Sequence, residues 1–252
     1  MPFAETTTGS NIHYLDLNAE ADGMPVVLLH GLLGTGATHF ENLNDWLVEN
    51  GYRVIAPSLR GYGESTPKPR DFPYEFYKRD AKDVLAFLEA IAISRCHLLG
   101  YSDGGEIAFI CAGTEPERFV SVTTIGAVGY MGPDVRSVMM GYRPGSQWIE
   151  QAEIDLHGIP DPDAFSAQWV RSMVMLVDAG GDVALSVAEN ITMPLLLTLG
   201  KKDMLNPRKY AEKFVEKVPN GKIETFDCGH PIHDQQTDAF RKSFLAHLKA
   251  SE

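Results

Sequence analysis

Three cysteines in 252 residues, Cys96, Cys111 and Cys228, are too few and too irregularly spaced for a disulfide framework or a zinc site. Two of them sit inside apolar runs, so they read as reduced, mostly buried thiols, which points to the cytoplasm. Basic side chains are also scarce. Twenty-two lysines and arginines stand against 34 acidic residues, a formal charge of −12. Such a surface repels phosphate backbones and anionic lipid, which argues against nucleic acid and membrane surfaces as partners. No apolar run approaches the roughly 20 residues that span a bilayer. The start, Met1-Pro2-Phe3-Ala4-Glu5-Thr6-Thr7-Thr8-Gly9, has neither the basic nor the apolar region of an export signal. Internal repeats and low-complexity tracts are missing too. What remains is a chain with an ordinary apolar fraction of 44%, long enough for a sizeable core in one or at most two domains.

Short apolar runs alternate with longer segments of helical periodicity. Val26-Val27-Leu28-Leu29, Arg53-Val54-Ile55-Ala56, His97-Leu98-Leu99, Val120 to Ile125 and Leu195 to Leu199 read as strands buried on both faces, and Ile223-Glu224-Thr225-Phe226 as a last strand. Between them Phe76, Tyr77, Ala81, Val84, Leu85, Leu88 and Ile91 recur at helical spacing, as do Tyr210, Phe214 and Val218, then Phe240, Phe244, Leu245 and Leu248. This alternation predicts an α/β protein with a mostly parallel sheet covered on both faces. Ile12 to Leu17 alternates in period two and predicts an antiparallel edge strand or part of a starting hairpin. The charges of Asp45, Glu49, Asp80 and Asp83 read most simply as solvated helix faces.

From about Ala127 to Asn190 the alternation breaks. Five of the nine methionines and two of the three tryptophans fall there, with no convincing strand. The expected organisation is a core of residues 1–126 and 191–252, with a helical lid of residues 127–190 inserted after the sixth strand. A pliable apolar wall of this composition suits a small-molecule site, with Tyr130, Trp148, Trp169 and Met173 as candidate substrate contacts. The plainer reading makes Phe165, Trp169, Met173, Leu176 and Val177 one core-facing stripe.

Gly100-Tyr101-Ser102-Asp103-Gly104-Gly105 follows an apolar run and precedes a helix-like one, which is Gly-x-Ser-x-Gly in a strand–turn–helix setting. A sharp turn at a strand end presents a serine hydroxyl clear of its own backbone, provided the neighbours lack bulk, and Gly100 and Gly104 meet that condition. A serine nucleophile also needs a base, a group that orients the base, and donors for the developing oxyanion. His230, kept out of helical geometry by Pro231, is the candidate base, ahead of His233 in the same loop. Asp203, just after a buried strand, is the candidate acid. The candidate oxyanion donors are the backbone N–H groups of Asp103 and of Leu32 in the loop His30-Gly31-Leu32-Leu33-Gly34. All of these fall beyond the carboxyl ends of strands, where open α/β sheets bind ligands. His230-x-x-His233 with Asp234 lacks a third ligand motif, so neither a metal nor a cofactor is expected. Cys228 reads as a space-filling side chain rather than a redox switch.

From the His30-Gly31 loop through the helix after His233, the chain resembles the α/β-hydrolase superfamily. Arg60-Gly61-Tyr62-Gly63-Glu64-Ser65 is similar to that family's Arg-Gly-x-Gly-x-Ser turn, with Ser58 standing where many members carry aspartate. The resemblance implies the α/β-hydrolase fold and a triad of Ser102, Asp203 and His230. The elbow Gly-Tyr-Ser-Asp-Gly-Gly most resembles that of valacyclovir-hydrolase-type small esterases, Gly-Trp-Ser-Asp-Gly-Gly. A carboxylesterase-like serine hydrolase acting on a small-molecule ester through an acyl-enzyme is the expected function. Carbon–carbon, lactone and amide hydrolysis stay open on the same triad, as does a ligand receptor of hydrolase fold with little turnover. No feature of the sequence assigns an oligomeric state.

Overall fold

The uninterrupted apolar runs become strands because each is covered on both sides. The structure, a computed structural model, describes all 252 residues. Its strands are β1 (Phe3–Glu5), β2 (Asn11–Leu17), β3 (Val26–Leu29), β4 (Val54–Pro57), β5 (Cys96–Tyr101), β6 (Phe119–Ile125), β7 (Leu195–Gly200) and β8 (Gly221–Phe226). They form one sheet in the order β1-β2-β4-β3-β5-β6-β7-β8. From β4 to β8 every pairing is parallel, whereas β2 runs antiparallel to both β1 and β4. The alternating stretch of Ile12 to Leu17 is thus the second strand of an opening hairpin, and the short β1 takes the sheet edge.

The helices are α1 (Glu41–Glu49), α2 (Phe76–Ala90), α3 (Asp103–Thr114), α4 (Asp134–Met140), α5 (Gln151–His157), α6 (Pro162–Asp178), α7 (Arg208–Val215), α8 (Ile232–Gln235) and α9 (Thr237–Ser251). Alternate residues of one strand serve opposite faces, as period two requires. Val27 and Leu29 join Phe87 of α2, Phe109 of α3 and Phe214 of α7 in one core. Val26 and Leu28 join Leu47 of α1 and Phe240 and Phe244 of α9 in the other. Eleven of the twelve residues of α3 are buried, so this helix shows no polar face in the sequence. The stretch between β6 and β7 is helical, holding α4, α5 and α6. The last begins at Pro162, with Asp161 accepting from the N–H groups of Asp163 and Ala164. No helix is long and apolar enough to cross a membrane. All three cysteines are free and buried.

Two acidic residues of α2 overturn the reading of a solvated face. Asp80 accepts from Arg70 at 2.5 Å and Asp83 from Arg60 at 2.5 and 2.9 Å, and both carboxylates are buried. The guanidinium partners come from the loop before α2, which helical periodicity does not register. Arg70 is itself buried, with its guanidinium over the rings of Tyr62, Phe72 and Phe76. Asp45 and Glu49 do face solvent.

A buried ion pair is costly to break from one side, because the survivor keeps its charge without a partner. Asp80→Ala is therefore expected to lose about 3–5 kcal/mol of unfolding free energy in urea titration. The double replacement Arg70→Met with Asp80→Leu is expected to lose less than Asp80→Ala alone.

Candidate active site

Ser102 lies between β5 and α3 with φ 54° and ψ −122°, a left-handed conformation that a side chain rarely adopts. Its N–H donates to Ile125 O of β6 at 2.8 Å. Close approach of backbones makes the turn possible. A Cβ on Gly100 would strike Gly104 O, and one on Gly104 would strike Leu29 O. A Cβ on Gly31 would sit 2.9 Å from Ser102 Cβ, so the loop after β3 needs a bare residue as well.

The loops after β7 and β8 bring Asp203 and His230 together. His230 Nδ1 and Asp203 Oδ2 are 2.6 Å apart. Asn206 Nδ2 donates to the same carboxylate oxygen at 3.1 Å, and the Leu205 N–H donates to Oδ1 at 2.9 Å. Burial pushes the Asp203 carboxyl up, but the bonds from His230, Asn206 and Leu205 outweigh it and hold the group below its ordinary value. Asp203 therefore stays ionised and fixes the proton of a neutral His230 on Nδ1, which leaves Nε2 as an acceptor. The ring rests on Gly126 at the end of β6, where a Cβ would lie 2.6 Å from His230 Cε1. No hydrogen bond joins Ser102 Oγ to the imidazole, yet Ser102 and Gly126 line the same cavity.

His233 sits elsewhere. It is the second residue of α8, and its Nε2–H donates to His39 O at 3.0 Å. His39 in turn accepts the Gly31 N–H at its Nδ1, 3.2 Å away. Burial drives His39 down to about 4, so it remains a neutral acceptor. His30 braces the loop from the other side, with Nδ1–H to Gly31 O and Nε2 accepting the Leu59 N–H, both at 2.8 Å. His157 of α5 adds a third brace. Its Nε2–H donates to Leu33 O at 2.8 Å, and its Nδ1 accepts the Gly63 N–H at 3.0 Å. Leu33 is held at φ 60°. The N–H of Leu32 makes no bond to a protein acceptor. In the Arg60 to Ser65 turn, Ser65 supplies the cross-link, its hydroxyl donating to Ser58 O at 2.6 Å and accepting the His13 N–H at 2.9 Å.

A cavity of about 30 Å³ opens beside Ser102 and is walled by Asp103, Glu106, Tyr77, Leu205, Asn206 and residues of the helical segment. Trp169 and Met173 line it, as do Met131, Val135 and Met139. Trp148 and Tyr130, the other two expected contacts, are not among its lining residues. The Trp148 indole donates to Tyr142 O and packs on Tyr142 and Trp169, one layer out. Tyr130 bridges to Asp182, and Lys213 covers its ring. The Asp103 carboxylate is buried, taking the Tyr77 hydroxyl on Oδ1 at 2.5 Å and leaving Oδ2 without a partner. Burial raises its pKa above the usual aspartate value, partly offset by the Tyr77 hydroxyl, the Arg70 charge and the Trp169 indole. Tyr77, Glu106 and Asn206 escape sequence reasoning. The first two sit in helices that read as core, and the third carries no motif.

A family described as alpha/beta hydrolase fold matches residues 24–161. The chain is 33% identical over 245 residues to the human (Homo sapiens) serine hydrolase BPHL, covering 93% of this chain and 81% of that protein. It is 27% identical over 283 residues to a proline iminopeptidase of Lactobacillus helveticus, covering 95% of this chain and 93% of the relative. Among solved structures, a 2-hydroxy-6-oxo-6-phenylhexa-2,4-dienoate hydrolase from Rhodococcus sp. strain RHA1 superposes with a TM-score of 0.79 at 19% identity, over 98% of both chains. The strained serine turn on a mostly parallel eight-stranded sheet accords with these matches, and the chain is an enzyme of the alpha/beta hydrolase fold family.

Proposed function

We propose that this enzyme is a serine hydrolase of small carboxylic esters, with Ser102 as nucleophile, His230 as general base and Asp203 as the group that orients it. The observation that carries the reading is the 2.6 Å His230–Asp203 bond seated on Gly126, at the wall of the cavity that Ser102 faces. Such a base closes on its serine when substrate fills the site. His230 Nε2 takes the Ser102 proton as Oγ attacks the carbonyl carbon, and the N–H groups of Leu32 and Asp103 hold the oxyanion. The imidazolium, balanced by Asp203, returns that proton to the departing alkoxide. Water then attacks the acyl-enzyme with His230 again as base, releasing the acid and restoring Ser102.

Residues 127–190 act as the lid, contributing Met131, Val135, Met139, Trp169 and Met173 to the wall around the acyl group. The unpartnered Oδ2 of Asp103 further supports a preference for esters with an amino group near the scissile carbonyl, since an ammonium would relieve a buried, half-satisfied carboxylate.

Ser102→Ala is expected to lower kcat for p-nitrophenyl acetate by about four orders of magnitude or more, because the members of a triad act as a unit. A fluorophosphonate adduct on any other residue would contradict the assignment. His230→Gln should show a comparable loss and should lack the imidazole's share of the acidic limb in its pH–rate profile. His233→Gln, which still donates to His39 O, should lose no more than roughly fivefold. The reverse result makes His233 the base.

Asp103→Asn is expected to spare p-nitrophenyl acetate and to weaken kcat/KM for amino-acyl esters by roughly 30-fold, about 2 kcal/mol. Because its pKa is raised, the Asp103 charge is lost earlier than an ordinary aspartate's as pH falls. The wild-type preference for amino-acyl over simple esters should therefore shrink on the acid side. The Asn variant should show a flat ratio, and equal effects on both ester classes would remove the recognition role.

A further inference from the structure

Glu106, one turn into α3, is fully buried, and its two oxygens each accept a backbone N–H from the chain leaving β6. Val128 donates to Oε1 at 2.8 Å and Gly129 to Oε2 at 2.9 Å. These donors lie two and three residues after Gly126, the residue against which the His230 ring and, at 3.5 Å from the Cβ position, Asp203 Oδ2 are seated. Gly126 and Gly129 both hold positive φ, 60° and 68°. A backbone turning twice through left-handed conformations has few bonds of its own to set its path. Within 126–129 the other backbone tie from an N–H is Gly126 to Thr198 O at 2.9 Å. The same helix begins at the residue after Ser102, so Glu106 connects the nucleophile's helix to the surface under the base.

We propose that Glu106 is a positioning residue: its carboxylate ties α3 to the 126–129 segment and so sets the distance between Ser102 and the His230 imidazole. The role rests on the serine-hydrolase reading above, although the tie itself is a property of the fold. An ionised carboxylate accepts both N–H groups in charge-assisted bonds, whereas a protonated one has a hydroxyl oxygen that accepts more weakly and brings its own proton toward the donors. Burial pushes Glu106 up to about 7, the two N–H bonds opposing the shift and the nearby Asp103 charge adding to it. The titratable groups facing it are Asp103 on its own helix and Tyr77 from α2. The 126–129 segment and β6 carry none. The tie is consequently strongest above neutrality and weakens as the pH falls below it. Full turnover then depends on two groups being unprotonated, His230 and Glu106.

The test is the pH dependence of kcat for p-nitrophenyl acetate hydrolysis by the intact enzyme, compared with Glu106→Gln. For the wild type the acid limb of log kcat is expected to be steeper than a single proton gives where Glu106 titrates, with an extra loss of about tenfold there. Glu106→Gln keeps the volume but sets an amide N–H₂ against one backbone donor. It should lower kcat roughly tenfold even at alkaline pH, leave KM little changed, and reduce the acid slope to one. A role in packing alone would move kcat without altering the slope. Amide hydrogen exchange at Val128 and Gly129, followed by NMR on the wild type, reads the tie without activity: protection should fall as Glu106 protonates. If the Gln variant does not fold, the wild-type slope and the exchange profile decide. A single-proton acid limb, or exchange at the two amides that ignores pH after correction for intrinsic rates, overturns the proposal. Loss of the serine-hydrolase reading shows differently, as no fluorophosphonate adduct at Ser102, and the exchange profile still reports on Glu106.

Discussion

Three backbone segments meet around Ser102 closer than any side chain permits: the end of β3 with its following loop, the end of β5, and the first turn of α3. Gly31, Gly100 and Gly104 each lie where a Cβ would crowd a neighbour, and Ser102 itself is held at positive φ. That crowding places the hydroxyl above the carboxyl ends of the strands, and every other part of the site is arranged relative to it. The strain is sustained because β5 is a central strand, hydrogen-bonded on both sides by β3 and β6, and α3 is buried nearly all round.

Loops carrying chemistry need a substitute for the ladder bonds that hold strands, and here buried histidines supply much of it. His30, His39 and His157 use both donor and acceptor nitrogens, or an acceptor alone, to pin the segment from Gly31 to Leu33. Burial lowers the pKa of all three, which keeps them neutral and preserves the acceptor that each arrangement uses. His230 differs from them in facing an ionised partner. One residue type thus performs two tasks, distinguished by whether a carboxylate stands beside the ring.

The helical segment between β6 and β7 has a divided role. Part of its apolar surface walls the cavity, through Met131, Met139, Trp169 and Met173, while Met140 and Met175 face solvent and Trp148 supports Trp169 from behind. It is also tied to the core by polar bonds. Ser172 donates to Phe72 O at 2.5 Å, and His157 reaches both the loop after β3 and the glycine turn after β4. Methionine enrichment marks the segment as a whole but does not say which members point inward, since helical spacing gives a core stripe and a cavity wall the same pattern.

The amino-acid sequence by itself determined the strand–helix alternation, the two-sided burial of the strands, the serine turn and the loops that hold Asp203 and His230. Each of these is written locally, in apolar period, in glycines that a sharp turn demands, or in residues a few places beyond a strand. Tertiary structure alone decided what depends on partners distant in the chain. Asp80 and Asp83 read as surface charges until Arg70 and Arg60 fold against them. Tyr130 and Trp148 read as cavity residues, and the path of the segment leaves them outside the cavity's lining. Glu106 and Tyr77 sit at positions whose periodicity says only that they are inside. A local pattern records how much of a side chain is buried, whereas its chemistry depends on which polar groups are buried with it, and those are brought together only by the packing of the helices on the sheet.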